Sequence, residues 1–344
     1  MRGVVKFALG PGNMEYREVP SPVPGPGQVL IRVKAAGLCG TDLEIYHGDF
    51  PTVIPCVVGH EGAGEVIAVG QGVEMVSVGD RVAMETSYVI CGHCYYCRVG
   101  NYNLCSERRG LGYGTNGTWA QLLITDATRV HRLAPNISYE QAAVLEPLSV
   151  ATRAAHIAGI GIMDRVAIIG TGPIALFLLQ VAKAAGARQV LMVGRRNRSR
   201  ADLAESLGAD RVHLLSDGVD PRKAIMEWTD GQGADVVFEA SGSPESATAA
   251  ISYARRAGTV VMVGLYPKAT PVEWNDIVKT EKVVKGTWTS GVFTDWQRAV
   301  TLVAEGRVKL DPLITHRFPL DEWERGMKLL ERGECVKVVL LPKP

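Results

Sequence analysis

The sequence has few aromatic residues and almost no net charge. Only 6% of its 344 residues are Phe, Trp or Tyr, and 37 basic residues against 36 acidic ones leave a net charge of +1. Such a balance provides no general attraction for nucleic acid. The longest apolar runs, such as residues 174–179, are far shorter than the roughly 18 residues that a membrane span requires. With no signal-peptide pattern at the start of the chain, we expect a cytoplasmic protein without nucleic-acid or membrane partners.

Disulfide bonds are also not expected, because seven cysteines are an odd number and four of them are crowded into fifteen residues. These four follow the spacing C-x2-C-x2-C-x7-C, at Cys91, Cys94, Cys97 and Cys105. Zn²⁺ prefers four sulfur ligands in tetrahedral geometry, and a loop of this spacing can wrap one ion. The pattern predicts a closed structural zinc site, with an iron–sulfur cluster or free buried thiols as the alternatives. His93 is interpreted as a bystander.

The pattern of predicted strands and helices changes near residue 151. Before it, short β-rich segments (29–33, 64–69 and 81–84) alternate with Gly/Pro turns, and residues 20–27 form a proline-rich loop. After it, short apolar strands alternate with helices of ten or so residues, which predicts a doubly wound parallel α/β sheet. From about residue 286 the pattern of predicted secondary structure changes again. We predict one domain from residues 1–151 and 287–344, and a second, inserted domain from residues 152–286.

A glycine-rich turn opens the inserted domain. Residues 166–169 predict a strand, followed by Gly170, Gly172 and a helix that starts at Pro173 and Ile174. The first glycine permits the sharp turn, the second permits close approach of a pyrophosphate, and Ala175 takes the third small position. The helix N-terminus then offers N–H groups to phosphate. The order strand, turn, helix therefore predicts a dinucleotide site, the alternative being an ordinary tight turn.

Arginines follow the second strand of this domain. An NAD site would place an acidic residue there to hold the ribose 2′-hydroxyl, whereas this chain has Arg195 and Arg196, with Arg198 and Arg200 nearby. The guanidinium group of an arginine can bind a 2′-phosphate through two parallel hydrogen bonds. The pattern favours NADP over NAD, although some of these arginines could be solvated charges at a helix start.

A second group of potential metal ligands is scattered along the first domain: Cys39, His60, Glu61 and Glu146. Spacing alone does not unite them. Each has another interpretation, Cys39 as a core thiol, His60 as a polar turn residue and Glu146 as a helix-start acid.

Five motifs give this chain a family resemblance. GLCGTD, GHEGAGEV, CGHCYYC with a later Cys, EPLSV and GTGPIA occur in this order across essentially the whole length. The sequence resembles the zinc-dependent medium-chain dehydrogenases, most of all the polyol (sorbitol-type) and L-threonine 3-dehydrogenase branch.

The resemblance implies a GroES-like catalytic domain built from both chain ends, with a Rossmann domain inserted between them. It implies two zinc ions per chain, with Cys39 and His60 as ligands of the catalytic one. Glu61 and Glu146 can each ligate in this family, or one can hold the zinc-bound water instead. Thr41 is implied to hydrogen-bond the zinc-bound oxygen and pass its proton outward. The implied reaction is hydride transfer from an alcohol to nicotinamide.

The match departs from the family at two places. Both sister branches carry His five residues after the catalytic cysteine, where this chain has Glu44, either a replacement proton relay or a surface acid. The segment 284–290 also lacks the arginine that either branch places near its substrate. Four aromatic residues are possible pocket walls, although packing is their commoner role: Phe50, Tyr113, Trp119 and Trp288.

The leading interpretation is a zinc-dependent dehydrogenase for a secondary hydroxyl of a polyol or sugar-like compound, with NADP preferred. The alternatives are an L-threonine 3-dehydrogenase with NAD and, more remotely, a non-catalytic nucleotide-binding redox sensor. The resemblance also implies a homodimer or homotetramer, with strands near 259–263 and 282–285 able to pair between subunits. The remaining cysteines and three histidines are interpreted as structural: Cys56, Cys335, His131, His156 and His213.

Overall fold

The chain forms two compact units in the computed structural model, which describes residues 1–343. One unit contains Met1–Glu146, Val292–Ala304 and the chain from Leu310 onward, and the other contains Pro147–Gly291 and Glu305–Lys309. The domain boundaries predicted after residues 151 and 286 stay a prediction. Among residues 1–343 no helix has both the length and the apolar character that crossing a membrane requires.

The first unit is rich in β-structure. Its strands are β1 (Arg2–Lys6), β2 (Met14–Glu18), β3 (Gln28–Leu38), β4 (Cys56–Val57), β5 (Glu61–Val69), β6 (Arg81–Met84), β7 (Ser87–Val89), β8 (Arg109–Gly110), β9 (Leu122–Asp126), β10 (Val130–Arg132), β17 (Ile314–Pro319) and β18 (Lys337–Leu341). Its helices are α1 (Gly40–His47), α2 (Tyr95–Arg98), α3 (Tyr139–Ala143), α10 (Phe293–Ala304) and α11 (Trp323–Arg332). The first two residues of helix α4 (Leu145–Ala158) also belong to this unit, and the rest of α4 belongs to the second unit.

The main sheet of this unit has the strand order β10-β6-β5-β3-β18-β17, with β9 also paired to β3. Strand β3 runs five residues beyond the predicted segment 29–33, because it pairs antiparallel with β5 from Val29 opposite Val69 to Gly37 opposite Glu61. Ala35 and Ala36 are buried on both faces of this stretch. Alternation of apolar and polar residues therefore ceases at Lys34 although the strand continues.

The second unit is a doubly wound α/β domain, as the alternation of strands and helices predicted. Its strands are β11 (Arg165–Ile169), β12 (Gln189–Gly194), β13 (Arg211–Leu214), β14 (Ala234–Glu239), β15 (Ala254–Met262) and β16 (Val283–Gly286). Its helices, besides the rest of α4, are α5 (Pro173–Ala185), α6 (Arg198–Ser206), α7 (Pro221–Trp228), α8 (Pro244–Tyr253) and α9 (Trp274–Thr280).

All strand pairs in this second sheet are parallel, in the order β13-β12-β11-β14-β15-β16. Its central strands are continuous buried runs, such as Val166 to Ile168 at 0% exposure, which is typical of a parallel sheet buried on both faces. The order reverses between β11 and β14. In an open parallel sheet, a ligand crevice lies at the carboxyl ends of the strands beside such a reversal.

Candidate active site and cofactor-binding residues

Cys39 lies where the long strand β3 passes into helix α1. It is the N-terminal capping residue of α1, and its backbone N–H donates a hydrogen bond of 2.8 Å to Oδ2 of the buried Asp42. This reciprocal contact fixes the first turn of the helix. Thr41 is the second residue of that turn and is half-buried.

Cys39, His60 and Glu61 come together, with one ligand atom from each lying within 4.8 Å of the others. The pairing of β3 with β5 produces this, because Gly37 stands opposite Glu61. A Cβ atom at Gly37 would lie 1.9 Å from Oε2 of Glu61, so only glycine leaves room for the carboxylate. His60 and Glu61 are 6% and 0% exposed. This set of buried sulfur, nitrogen and oxygen donors suits Zn²⁺.

The Glu61 carboxylate is paired with Lys337 on β18. Lys337 Nζ lies 2.7 Å from Oε1 and 2.6 Å from Oε2, and it also donates a 2.7 Å hydrogen bond to the carbonyl of Leu38. Burial raises the pKa of Glu61, while Lys337 and His60 oppose that rise. Burial lowers the pKa of Lys337, but Glu61 and Cys39 more than reverse this, and its pKa is raised. Lys337 therefore stays charged and holds Glu61 toward its ionised form.

Asp42 faces the imidazole of His60. Its Oδ1 lies 3.7 Å from Nδ1, and both atoms are buried without another hydrogen-bond partner among residues 1–343. Burial alone would lower the pKa of His60, but Asp42 and then Cys39 raise it well above its usual value. A carboxylate behind one ring nitrogen is the usual support for a histidine that ligates through the other.

Glu146 lies near this set but is not among the residues within 4.8 Å. Its Oε1 accepts a 2.7 Å hydrogen bond from the hydroxyl of Thr86. It is close enough to Glu61 to raise the pKa of that carboxyl. Glu44, in contrast, is exposed on α1.

The four predicted wall residues differ in their surroundings. Tyr113 packs edge-on against His60 with ring centroids 6.5 Å apart, and Phe50 packs against Tyr113 at 5.2 Å. Trp119 is fully buried and donates from Nε1 to the carbonyl of Gly37, so it is a core residue. Trp288 is 43% exposed in the second unit.

The four cysteines predicted to hold a structural zinc converge, with their sulfur atoms within 4.8 Å of one another. Sulfurs at about 2.3 Å from one tetrahedral ion lie about 3.8 Å apart, and Cys91 Sγ and Cys97 Sγ are 3.9 Å apart. Backbone N–H groups of Cys94 and Cys97 point at Sγ of Cys91 and Cys94, at 3.3 and 3.5 Å. The donor set therefore fits a single zinc ion.

Protonation within this cluster is uneven. Backbone hydrogen bonds from Cys94 and His93 lower the pKa of the Cys91 thiol to about 6. Desolvation, with added hydrogen bonding to Cys94, raises the pKa of Cys97 to about 12. Four adjacent thiolates repel one another, so full deprotonation of the cluster calls for a bound cation.

The predicted dinucleotide turn lies at the carboxyl end of β11, beside the reversal in strand order. Gly170 has φ of +125°, and a Cβ there would lie 2.9 Å from the carbonyl oxygen of Ala240. Gly172 caps α5 and has open space where a side chain would stand, and Pro173 begins the helix. Ile174 is half-buried in the first turn. Among residues 1–343 no side chain caps this helix, so its N–H groups are available to phosphate.

The predicted 2′-phosphate residues follow the neighbouring strand β12. Arg195 and Arg196 are exposed directly after Gly194. Arg198 is paired with Asp217, with 2.7 Å between its Nη2 and Oδ2. Two adjacent guanidinium groups therefore follow the strand whose end normally contacts the adenosine ribose.

His131, interpreted from the sequence as structural, is a buried residue with an acidic partner far along the chain. Its Nε2 lies 2.8 Å from Oε1 of Glu85, a fully buried carboxylate that also accepts from the hydroxyl of Tyr102 at 2.8 Å. The imidazole stacks on Trp296 with ring centroids 5.0 Å apart. Glu85 is 46 residues from His131, and only the pairing of β6 with β10 brings them together.

Three further residues around the site were not predicted from the sequence: Lys337, Asp42 and Thr86. Lys337 carries a recognisable signal, because it is a single charge at the start of the otherwise apolar strand β18. Asp42 lies within the GLCGTD motif, three residues after Cys39. Thr86 carries no such signal, because its role depends on a side chain 60 residues away.

Together, the buried Cys/His/Glu set and the glycine turn of a parallel sheet define a metal- and nucleotide-dependent oxidoreductase. Comparison with known families agrees. Residues 25–135 match the alcohol dehydrogenase GroES-like domain, and residues 173–305 match the zinc-binding dehydrogenase family. The chain belongs to this zinc-binding alcohol dehydrogenase family and uses zinc and a nicotinamide cofactor.

Full-length relatives support this assignment. The chain is 37% identical to a sorbitol dehydrogenase of Halalkalibacterium halodurans, with 99% of each chain covered. It is 36% identical to a D-arabitol-phosphate dehydrogenase of Enterococcus avium, with 100% of this chain and 98% of the relative covered. It is 35% identical to an L-threonine 3-dehydrogenase of Bacillus licheniformis, with 99% of each covered.

Two solved structures of similar chains contain a nicotinamide cofactor. A zinc-binding dehydrogenase from Sinorhizobium meliloti bound to NADP has a TM-score of 0.92 at 31% identity, with 99% of both chains covered. A dehydrogenase from E. coli complexed with NADH has a TM-score of 0.91 at 27% identity, again with 99% of both covered.

Proposed function

We propose that this enzyme oxidises a secondary hydroxyl of a polyol or sugar-like compound, with NADP⁺ as the preferred acceptor. The convergence of Cys39, His60 and Glu61 in a buried, charge-balanced set is the observation that carries the catalytic part of this proposal. The names of the sorbitol and arabitol-phosphate relatives support the substrate class.

Cys39, His60 and Glu61 are the residues proposed to hold the catalytic zinc, because they form the close set of donors. Glu146, which Thr86 holds just outside that set, is proposed as a supporting carboxylate. When bound, zinc supplies Lewis acidity that lowers the pKa of an alcohol, and nicotinamide supplies the hydride acceptor. Metal content of Glu61→Gln and Glu146→Gln would separate the two roles, since only loss of a ligand should abolish binding at this site.

Thr41 and Glu44 are proposed to carry the alcohol proton to solvent. They are three residues apart on α1 and therefore neighbours on its surface, the first half-buried and the second exposed. Thr41 Oγ1 would accept the hydrogen bond of the substrate hydroxyl, and the Glu44 carboxylate would take the proton onward. A Glu44→Gln variant should alter the pH dependence of turnover; an unchanged profile would leave Glu44 as a surface acid.

Cys91, Cys94, Cys97 and Cys105 are proposed to hold the second zinc. Four sulfur ligands leave no open position, so this ion is structural. The 3.9 Å distance between Cys91 Sγ and Cys97 Sγ, and the approach of all four sulfurs within 4.8 Å, support the assignment.

The preference for NADP is proposed from Arg195 and Arg196. Exposed guanidinium groups after β12 attract a 2′-phosphate and form charge-assisted hydrogen bonds with it. Losing one such bond corresponds to roughly 1.5–3 kcal/mol, or about tenfold or more in affinity. Arg195→Ser should therefore raise KM for NADP⁺ by about tenfold or more and leave KM for NAD⁺ nearly unchanged. Equal effects on both cofactors would contradict this role.

A substrate panel tests the function directly. Polyols, cyclitols, simple secondary alcohols and L-threonine would each be assayed with NADP⁺ and NAD⁺ by nicotinamide absorbance. Oxidation of a polyol with NADP⁺ preferred supports the proposal. Oxidation of L-threonine with NAD⁺ would favour the second candidate, to which the similarity to L-threonine 3-dehydrogenases points.

We also propose a homodimer or homotetramer in the cytoplasm. Strand β16 is one of the two edges of the parallel sheet, and its Val283 and Val284 are 44% and 40% exposed. An open apolar edge favours pairing with a second copy. Seven free cysteines, four of them arranged as metal ligands, suit a reducing compartment. Sedimentation analysis would give the number of subunits.

A further inference from the structure

A fully buried carboxylate lies at the carboxyl end of the parallel sheet, outside the metal sites. Glu239 is the last residue of β14 and is 0% exposed. Its Oε1 accepts hydrogen bonds from the backbone N–H of Ser241, at 2.9 Å, and from the Ser241 hydroxyl. Its Oε2 accepts a hydrogen bond from the hydroxyl of Tyr266. We call Glu239, Ser241 and Tyr266 the carboxylate clasp.

The clasp joins two loops that lie outside the helices and strands. Ser241 belongs to the turn between β14 and α8, and Tyr266 belongs to the segment between β15 and α9. The two loops approach closely, because a Cβ at Gly264 would lie 2.6 Å from Glu239 Oε2 and 2.7 Å from the backbone nitrogen of Gly242. A buried carboxylate is unfavourable without hydrogen-bond donors. The donors of Glu239 come from both loops, so its hydrogen bonds fix the two loops against each other.

The first of these loops, after β14, borders the glycine turn. The backbone N–H of Ala240 donates to the carbonyl of Ile169 at 2.9 Å, and a Cβ at Gly170 would lie 2.9 Å from the carbonyl oxygen of Ala240. The clasp therefore stands at the reversal of strand order, on the β14–β15 side. The adenosine half of a dinucleotide belongs to the opposite side, after β12, where Arg195 is found.

We propose that the carboxylate clasp positions the loops that receive the nicotinamide half of the cofactor. This inference rests on the proposed use of a nicotinamide dinucleotide. Glu239, Ser241 and Tyr266 act as positioning residues, which hold backbone groups of residues 240–242 and 264–266 in place before the cofactor arrives. Pre-organisation of this kind increases affinity by removing the entropy loss of ordering a loop on binding.

The Tyr266 hydroxyl stays protonated and donates its hydrogen bond to Glu239. Burial and the neighbouring Glu239 carboxylate both raise its pKa far above the usual value. It therefore keeps its proton at neutral and mildly alkaline pH and remains a hydrogen-bond donor to Glu239.

The test compares whole cofactors with fragments that contain only the adenosine half. Tyr266→Phe removes a single oxygen, and Ser241→Ala removes the second hydroxyl of the clasp. Dissociation constants for NADPH, NADH, 2′,5′-ADP and 5′-AMP would be measured by calorimetry on the zinc-loaded enzyme. The matched control is Tyr253→Phe, a buried tyrosine of the same unit at the C-terminal end of α8.

We expect Tyr266→Phe to weaken binding of whichever dinucleotide the enzyme prefers by about tenfold, the equivalent of one charge-assisted hydrogen bond. Binding of the matching fragment should change by less than about twofold, and Tyr253→Phe should change neither. Equal weakening of dinucleotide and fragment, or no weakening of either, would overturn the clasp's role. Failure of the unmodified enzyme to bind any of the four would instead refute the proposed cofactor.

Discussion

Removing the Lys337 ammonium group tests how the candidate catalytic site is held together. Lys337 Nζ contacts both oxygens of Glu61 and the carbonyl of Leu38, and the side chains of Lys337 and Glu61 are 3% and 0% exposed. Lys337→Met keeps most of the unbranched stem, so packing changes little. The Glu61 carboxylate is then left buried without its cation, which destabilises a protein by about 3–5 kcal/mol.

This loss is a large fraction of the roughly 5–15 kcal/mol that stabilises a folded domain. The variant should also bind zinc less tightly, because Lys337 is the main group that opposes the rise in the pKa of Glu61. Without it, Glu61 is protonated at higher pH and is a poorer ligand.

The measurement is denaturant unfolding of the zinc-free protein at neutral pH, followed by zinc content after reloading. The double variant Lys337→Met/Glu61→Gln replaces both charges and should recover much of the lost free energy of unfolding. Lys343→Met is the matched control, since it breaks an exposed ion pair with Asp321 and should have little effect. A decrease below about 1 kcal/mol for Lys337→Met would refute the reasoning.

Three further expectations concern other parts of the molecule. Cys105→Ser should halve the zinc content and lower the melting temperature, and retention of two ions per chain by atomic emission would contradict a four-cysteine site. Burial raises the pKa of Cys56 to about 12, so the folded protein keeps a proton that the unfolded chain loses above about pH 9. This group should lower the stability by about 1.4 kcal/mol per pH unit between these values, and Cys56→Ala should remove that contribution from the slope in denaturation curves at about pH 9 to 11. His131→Ala should lower the free energy of unfolding by about 2 kcal/mol, since Glu85 loses a buried donor, whereas His213→Ala should not.

Local patterns predicted much of the architecture. The alternation of strands and helices after residue 151 predicted the parallel sheet, because each βαβ unit is encoded in consecutive residues. The convergence of the four sulfurs of the cysteine loop followed from spacing for the same reason. The glycine turn is also local, since Gly170 and Gly172 act through the conformation of their own backbone.

The cluster of Cys39, His60 and Glu61, proposed to be catalytic, was different. From the residues alone, Cys39, His60 and Glu61 could not be united, and family resemblance had to bring them together. Their meeting depends on the register of β3 against β5, which places Gly37 opposite Glu61. A shift of one residue in that pairing would turn Glu61 to the other face of the sheet.

By itself, the sequence determined most of the strands and helices, the cysteine loop and the glycine turn, since each is specified by a short stretch of consecutive residues. Only the tertiary structure decided which distant charges balance one another. Lys337 reaches Glu61 across 276 residues, and His131 reaches Glu85 across 46. The physical reason is that burial makes an unpaired charge unfavourable, and burial and partner are both properties of the packed sheets rather than of any one segment.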